Sequence, residues 1–339
     1  MIAGVSKNVT RVGITGLGVH LPERVLTNDE LEGMVETSDE WIMERTGIKE
    51  RRISAQDEAA SDLAIPAARK ALLQAGVEAA DLDLVIVGTT TPDMVFPTTA
   101  ALVADELGAH NAAAYDMLAA CSGFIYGLAQ AYGAVVSGLS RRALVIGSET
   151  LSKIVNWHDR TTCILFGDGA GAVVVERVDD GGFLGFELGA DGSGGSELLV
   201  PAGGSRAPAT RETVDQDLHA IQMKGPEVFR FATRIMVSSA RKLLAECGAT
   251  VDDVDLYVPH QANKRIIDHA AKSIGLPPEK VFVNIERYGN TSAASVPLGL
   301  ADALAVGALE PGMRVLMSAV GGGYTWGSAY LTWANGRAR

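Results

Sequence analysis

Short apolar runs alternate with helix-patterned stretches along this chain, and that alternation restricts the fold more than any other feature. The runs at 82–89, 112–118, 143–147 and 170–178 are apolar and partly β-branched, as strands buried within a sheet are. A first strand is expected at 12–20. Helices are expected at 61–76, 97–107 and 123–136, two of them closed by glycine at 76 and 108. Shorter helices should open after Thr27 and over 37–45, the second stopped at Gly47. The rhythm then repeats, with strands at 183–188, 255–258, 281–283, 314–320 and 328–333 and helices at 226–247, 263–274 and 295–306. The polar, Gly-rich stretch 189–216 reads as loop. Each half therefore follows a βαβαβαββ order, dividing the chain at 1–180 and 181–339, although no residue-level repeat accompanies it. The expected class is α/β, with parallel sheets covered by helices. Ligands in such folds collect at the carboxyl ends of strands.

Composition narrows the function. A net charge of −12 over 339 residues argues against a general binder of nucleic acid or anionic membrane. An acidic partner would need a local basic patch. Three cysteines are too few, and odd in number, for a disulfide framework, so a reducing cytoplasm is the expected setting. Residues 1–11 contain no apolar signal core, and no apolar run reaches the ~18 residues that a membrane span needs.

Three chemically capable residues fall at expected strand ends. Cys121 stands between the strand at 112–118 and the helix at 123–136. There the helix dipole and unpaired N–H groups favour thiolate. His260 follows the second strand of the second half. Asn290 follows the third, at the position expected to match Cys121. Taken singly, each has an ordinary reading: a buried structural cysteine, a strand-end histidine, a turn asparagine. Three such residues at matching strand ends read instead as one site. A thiolate suits thioester exchange, and His with Asn forms a donor pair for a negative oxygen. The glycines of 321–327 supply further backbone N–H groups and also suit a tight turn. Two look-alikes fail. Gly167-Asp-Gly-Ala-Gly-Ala172 precedes a strand and not a helix, so it lacks the dinucleotide-binding context. The Cys, His, Asn order is papain-like, but the C-G-x-C-W signature is absent.

Ala120-Cys-Ser-Gly-Phe124, Val258-Pro-His-Gln-Ala-Asn-Lys-Arg265, Gly289-Asn-Thr-Ser-Ala-Ala-Ser-Val-Pro297 and Gly321-Gly-Gly-Tyr-Thr-Trp-Gly327 together resemble 3-oxoacyl-[acyl-carrier-protein] synthase III. The segments 37–48, 159–160 and 166–171 fit as well, so the resemblance covers nearly the whole chain. It implies a thiolase-like fold, two similar halves packed as a five-layer αβαβα sandwich. It also implies a two-step reaction that initiates fatty-acid synthesis. Cys121 takes the acyl group of a short acyl-CoA, acetyl-CoA foremost, with the thioester oxygen at the N–H groups of Cys121 and Gly322. Malonyl-acyl carrier protein then enters. His260 and Asn290 stabilise the enolate left by CO2, and the carbanion attacks the acyl-cysteine. No metal or redox cofactor is implied. Trp41 and Arg160 would sandwich the CoA adenine, with Thr37 at the same mouth. Gly225, Phe229, Ala262 and Asn263 would line the pantetheine channel, and Leu165 and Phe166 would face the acyl pocket. Phe96 would reach into the partner's pocket in a homodimer. Arg45, Arg230, Arg265 and Lys272, with Arg234 and Lys264 beside them, would dock the carrier protein. The alternative is a same-fold enzyme of a secondary-metabolite, polyketide-like pathway, or one that transfers acyl groups without decarboxylation. A non-catalytic scaffold is disfavoured by the intact Cys, His and Asn.

Overall fold

The computed structural model describes residues 10–334. Two sheets carry the molecule. The first contains β1 (Val12–His20), β2 (Leu84–Gly88), β3 (Ala113–Met117), β4 (Arg142–Glu149) and β5 (Gly169–Arg177), in the order β1-β5-β4-β2-β3. The second contains β6 (Gly182–Ala190), β7 (Leu256–Pro259), β8 (Arg314–Gly321) and β9 (Thr325–Thr332), in the order β6-β9-β8-β7. The four strands of the second sheet correspond in order to β1, β5, β4 and β2, and β3 has no counterpart. Strand senses correspond too: β2 is parallel to β4 and β7 to β8, while the remaining pairs up to β1 and β6 are antiparallel. Even the start signals agree. Asp83 accepts from the Arg142 N–H, and Asp255 accepts from the Arg314 N–H at 2.8 Å.

Helices α1 (Asp39–Thr46), α2 (Ala60–Ala75), α3 (Thr99–Leu107), α4 (Gly123–Ser137), α5 (Gly225–Glu246), α6 (Lys264–Ile274) and α7 (Ser295–Ala305) complete the frame. α2 and α3 bury alanine and leucine on the outer face of the first sheet. α5 and α6 cover the outer face of the second. α4 and α7 lie between the sheets, in one core built from β1, β2, β4 and β5 on one side and β7, β8 and β9 on the other. This is the expected five-layer αβαβα arrangement. Helices α1 to α4 and α6 end on left-handed glycines, whose missing Cβ makes that conformation cheap.

Four expectations need correction. The strand at 112–118 is not buried. As β3 it is the edge of its sheet, with Ala113 exposed and the rest half-buried. The strand expected at 281–283 shrinks to a single parallel bridge between Val281 and Tyr257. It is squeezed between a turn at Pro278–Lys280 and a short helix at Ile285–Tyr288, which leaves too few extended residues to pair further. The segment 189–216 is not all loop. It contains a capped helix, Arg211–Asp215, and a two-residue strand, Leu198–Leu199, paired with Gln222–Met223. Two short strands, Arg24–Thr27 and Glu50–Ile53, pair antiparallel where none was expected.

Candidate active site

The polypeptide leaves β3 and makes one tight turn, Ala120–Ser122, before α4 begins. A matching turn, Ser292–Ala294, precedes α7. Each opens on a non-glycine residue in the left-handed region, Ala120 at φ 45° and Ser292 at φ 48°. Such backbones persist only where their surroundings hold them. Here the two turns pack against each other, and each abuts the sheet of the opposite half. A Cβ on Gly321, at the end of β8, would lie 2.7 Å from the Cys121 nitrogen; one on Gly147, in β4, would collide with the Ala293 carbonyl. The alignment of the turns corrects one expectation. The residue that matches Cys121 is Ala293, and Asn290 stands three residues earlier.

One cavity of about 1060 Å³ gathers most of the expected residues. Cys121, His260 and Asn290 all line it, as do Leu165, Phe166, Gly225, Phe229, Ala262 and Asn263. Arg45, Arg230 and Arg265 line it and are exposed, so they mark its mouth; Trp41 stands with them. His260 and Asn290 are buried and mark the inner end. The remaining expected residues do not border it. Gly322 packs against Leu198, and the neighbouring Gly321 is the residue on the wall. Thr37 has a buried hydroxyl with no partner. Lys272 is exposed in the last turn of α6. Phe96 is 82% exposed, in a loop that also exposes Met94 and Val95. Arg234 lies over the Phe231 ring, and Lys264 is paired with Asp268. Arg160 sits directly over Trp41, 5.2 Å from the ring centroid, while Arg45 covers the same ring at 4.6 Å. A base stacked between Trp41 and Arg160 needs about 7 Å, two contact distances, so Arg160 must swing aside to admit one.

Burial sets the charge states. Cys121 has its thiol pushed up to about 12 by desolvation; its own N–H and the Ser292 side chain pull the other way. The expectation of a resting thiolate is therefore reversed, because desolvation outweighs the helix start. Burial lowers His260 to about 3, so the ring is neutral, and neither ring nitrogen has a protein partner. Asn290 is oriented from three sides. Its Oδ1 accepts the Ser292 N–H at 2.9 Å, its own N–H donates to the Leu165 carbonyl at 2.8 Å, and its carbonyl accepts from Gly167 at 3.0 Å. With Oδ1 engaged by a donor, the amide NH2 is the end left for a ligand. The segment that grips Asn290 is itself tied down by the fully buried Arg51, whose Nη2 donates to the Ile164 carbonyl at 2.8 Å. Burial lowers that guanidinium to about 10.

Sequence reasoning missed Arg51, Ser292 and Glu149. The signal for Glu149 was present: a carboxylate ends β4, whose middle residues 143–147 are apolar. Among the described residues, no cluster of three or more His, Cys, Asp or Glu side chains is gathered as a metal would require. None of their helices is long and apolar enough to cross a membrane.

Two like sheets, a shared central helix layer and a cysteine at the start of a central helix define a thiolase-fold condensing enzyme, an acyltransferase. Known proteins narrow the class. The C-terminal model of 3-oxoacyl-[acyl-carrier-protein] synthase III matches residues 244–333, and a second model of the same family matches 115–192. The beta-ketoacyl-[acyl-carrier-protein] synthase III of Symbiobacterium thermophilum is 57% identical over 95% of this chain and 98% of its own length. The crystal structure of the Aquifex aeolicus enzyme superposes with a TM-score of 0.88 at 46% identity, over 95% of this chain and 100% of that one. The priming β-ketosynthase of the R1128 polyketide pathway superposes at 0.89 with 37% identity, over 98% of this chain and 99% of that one. This chain belongs to the 3-oxoacyl-[acyl-carrier-protein] synthase III family.

Proposed function

We propose that this enzyme condenses a short acyl-CoA, acetyl-CoA foremost, with malonyl-acyl carrier protein, releasing CO2 and CoA and initiating fatty-acid synthesis. The observation that carries this reading is the meeting of Cys121, a neutral His260 with both ring nitrogens free, and an oriented Asn290 at the inner end of one cavity. Cys121 attacks the thioester, and the N–H groups of Cys121 and Gly322 receive its oxygen. Malonyl thioester then takes the vacated channel. The protonated nitrogen of His260 and the Asn290 amide donate to the enolate oxygen as CO2 departs, and the carbanion attacks the acyl-cysteine. A neutral histidine suits that role, since it donates without surrendering a full charge. Decarboxylation itself generates the nucleophile, so we assign no metal or redox cofactor.

Trp41, Arg160 and Thr37 are assigned to the nucleotide end of CoA. Gly225, Phe229, Ala262 and Asn263 are assigned to pantetheine, and Leu165 and Phe166 to the acyl chain. Arg45, Arg230, Arg265 and Lys272 are assigned to the carrier protein. The exposed Phe96 is read as a homodimer contact that enters the partner's acyl pocket. We place the division of the chain near residue 180 and the protein in the cytoplasm. The likeness to a polyketide priming synthase supports a second reading, in which the product feeds another carrier protein.

The decisive experiment is the intact mass of the protein after exposure to a panel of acyl-CoAs, beside Cys121→Ala. One acyl addition that the variant loses is expected, and the preferred adduct names the primer. No addition from any acyl-CoA rejects the acyl-enzyme step.

A further inference from the structure

Glu149 ends β4 and is wholly buried, yet the steps above leave it without a task. β4 and β8 both span eight residues and start on matching arginines, so Glu149 occupies in one half the place of Gly321 in the other. Gly321 abuts the Cys121 turn. Glu149 correspondingly meets the Ser292 turn, which packs against both β4 and the Cys121 turn, so the Ser292 hydroxyl lies between the Glu149 carboxyl and the Cys121 sulfur. The hydrogen-bond donors to this carboxylate are all neutral. Thr91 Oγ1 at 2.7 Å, Thr90 Oγ1 at 2.9 Å and Thr89 Oγ1 at 3.4 Å all end on Oε2. Oε1 receives only the Thr90 N–H, at 3.2 Å, which it shares with Oε2. Oε1 therefore keeps room for a proton.

A serine hydroxyl carries one proton. Given to the carboxylate, it leaves Oγ to accept the thiol proton; given to the sulfur, it leaves Oγ to accept from a protonated Glu149. We propose that Glu149, acting through Ser292, is a positioning residue that takes the Cys121 proton as the thioester is attacked and returns it when the acyl group leaves. The proposal rests on the reading that Cys121 is acylated. In the first half-reaction the S–H bond breaks, sulfur bonds to the acyl carbon, Glu149 becomes protonated and CoA departs as a thiolate that takes a proton from water. In the second, carbon–carbon bond formation expels the Cys121 thiolate, which recovers its proton through Ser292 and leaves Glu149 ionised.

Charge conservation is the reason such a relay overcomes burial. Desolvation raises both the Cys121 thiol and the Glu149 carboxyl. Moving one negative charge between them keeps the number of buried charges constant, so most of that penalty cancels. The other ionisable groups nearby are the neutral His260 across the cavity and, in the pocket beyond the Thr91 loop, Asp57, Glu58, Asp93 and Lys153. Asp93 accepts from Ser61 and Thr99, and Lys153 donates to the carbonyls of Ala55 and Gln56.

The test is single-turnover acylation by acetyl-CoA, followed by intact mass from pH 6 to 9, for wild type, Glu149→Gln, Ser292→Gly and the double variant. Glycine suits position 292 because its φ of 48° is left-handed. Expected is a loss of about 10²-fold at pH 7 in each single variant. Their rates should climb about tenfold per pH unit, because solvent base must now take the proton, and the double variant should be no slower than either. Release of CO2 from malonyl-carrier protein is read in parallel for Glu149→Gln and should stay near wild type. A Glu149→Gln enzyme that acylates with the wild-type rate and pH profile overturns the relay. Equal losses in both half-reactions with a lowered Tm also overturn it, in favour of a structural carboxylate. A wild type that takes up no acyl group overturns the parent reading as well.

Discussion

At the scale of single residues, the proposed mechanism divides its labour between a nucleophile and a donor pair, and the two can be separated. His260→Ala and Asn290→Ala should each slow CO2 release from malonyl-carrier protein by about 10²-fold or more, the cost of one preorganised donor. Acyl uptake by Cys121 should survive in both, as measured by intact mass. With His260 lowered to about 3, the ring is neutral throughout pH 5–8, so it adds no titration step to decarboxylation in that window. Stability should carry the opposite signature. The unfolded chain protonates this histidine below its ordinary 6.5, whereas the folded chain resists until about 3. Stability from His260 is thus complete above 6.5 and lost as pH falls toward 3. Urea titrations at pH 7 and pH 5 should show a smaller loss on acidification in His260→Asn than in wild type. Cys121 and His260 were legible as residues because strand-end placement is written in local patterns; the strand expected before Asn290 is a single bridge, and Ala293 holds the place that matches Cys121. The charge states were not legible, because desolvation depends on walls contributed by residues far apart in sequence.

At the scale of elements, glycine punctuation and capping residues made the helices legible almost to the residue. Thr27 does cap the helix that follows it, whereas Ser38 and Thr98 cap helices expected to start at 37 and 97. Strand edges were harder. The segment 281–283 has strand-like residues, but its flanking turns consume the length that pairing requires. Burial of β3 was misread because an edge position is a property of the sheet and not of the strand. Two glycines in this layer should respond in opposite ways. Gly321→Ala puts a Cβ 2.7 Å from the Cys121 nitrogen. It should cost about 1–3 kcal/mol of stability by thermal unfolding, with acyl uptake falling alongside. Gly133→Ala, within α4 where a Cβ would meet nothing within 4 Å, should raise stability by about 0.5–1 kcal/mol.

At the scale of the whole molecule, an enzyme with a net charge of −12 keeps Arg45, Arg230 and Arg265 at the mouth of its cavity. Arg265 lies 5.6 Å over the Phe229 ring, which holds its charge near the entrance. Arg265→Glu should raise KM for malonyl-carrier protein about tenfold or more while KM for acyl-CoA changes little, since charge reversal at a docking rim acts on the encounter. Equal effects on both would remove Arg265 from the docking surface. The two like halves were legible as a rhythm of elements, although no residue repeat accompanies it. Fold layers require only pattern, whereas the turns at Cys121 and Ala293 had diverged in every side chain that matters to chemistry. The interlocking of those turns, each braced by the other half's sheet, bears on how the protein comes apart. No partial unfolding can release one half and spare the other's turn, since α4 and α7 share one core. Heating should therefore yield one calorimetric transition. A chain cleaved near residue 180 should show no acyl uptake at Cys121 in the separated N-terminal fragment, and regain it only when both fragments are mixed and refolded together: acyl uptake would be a property of the assembled pair.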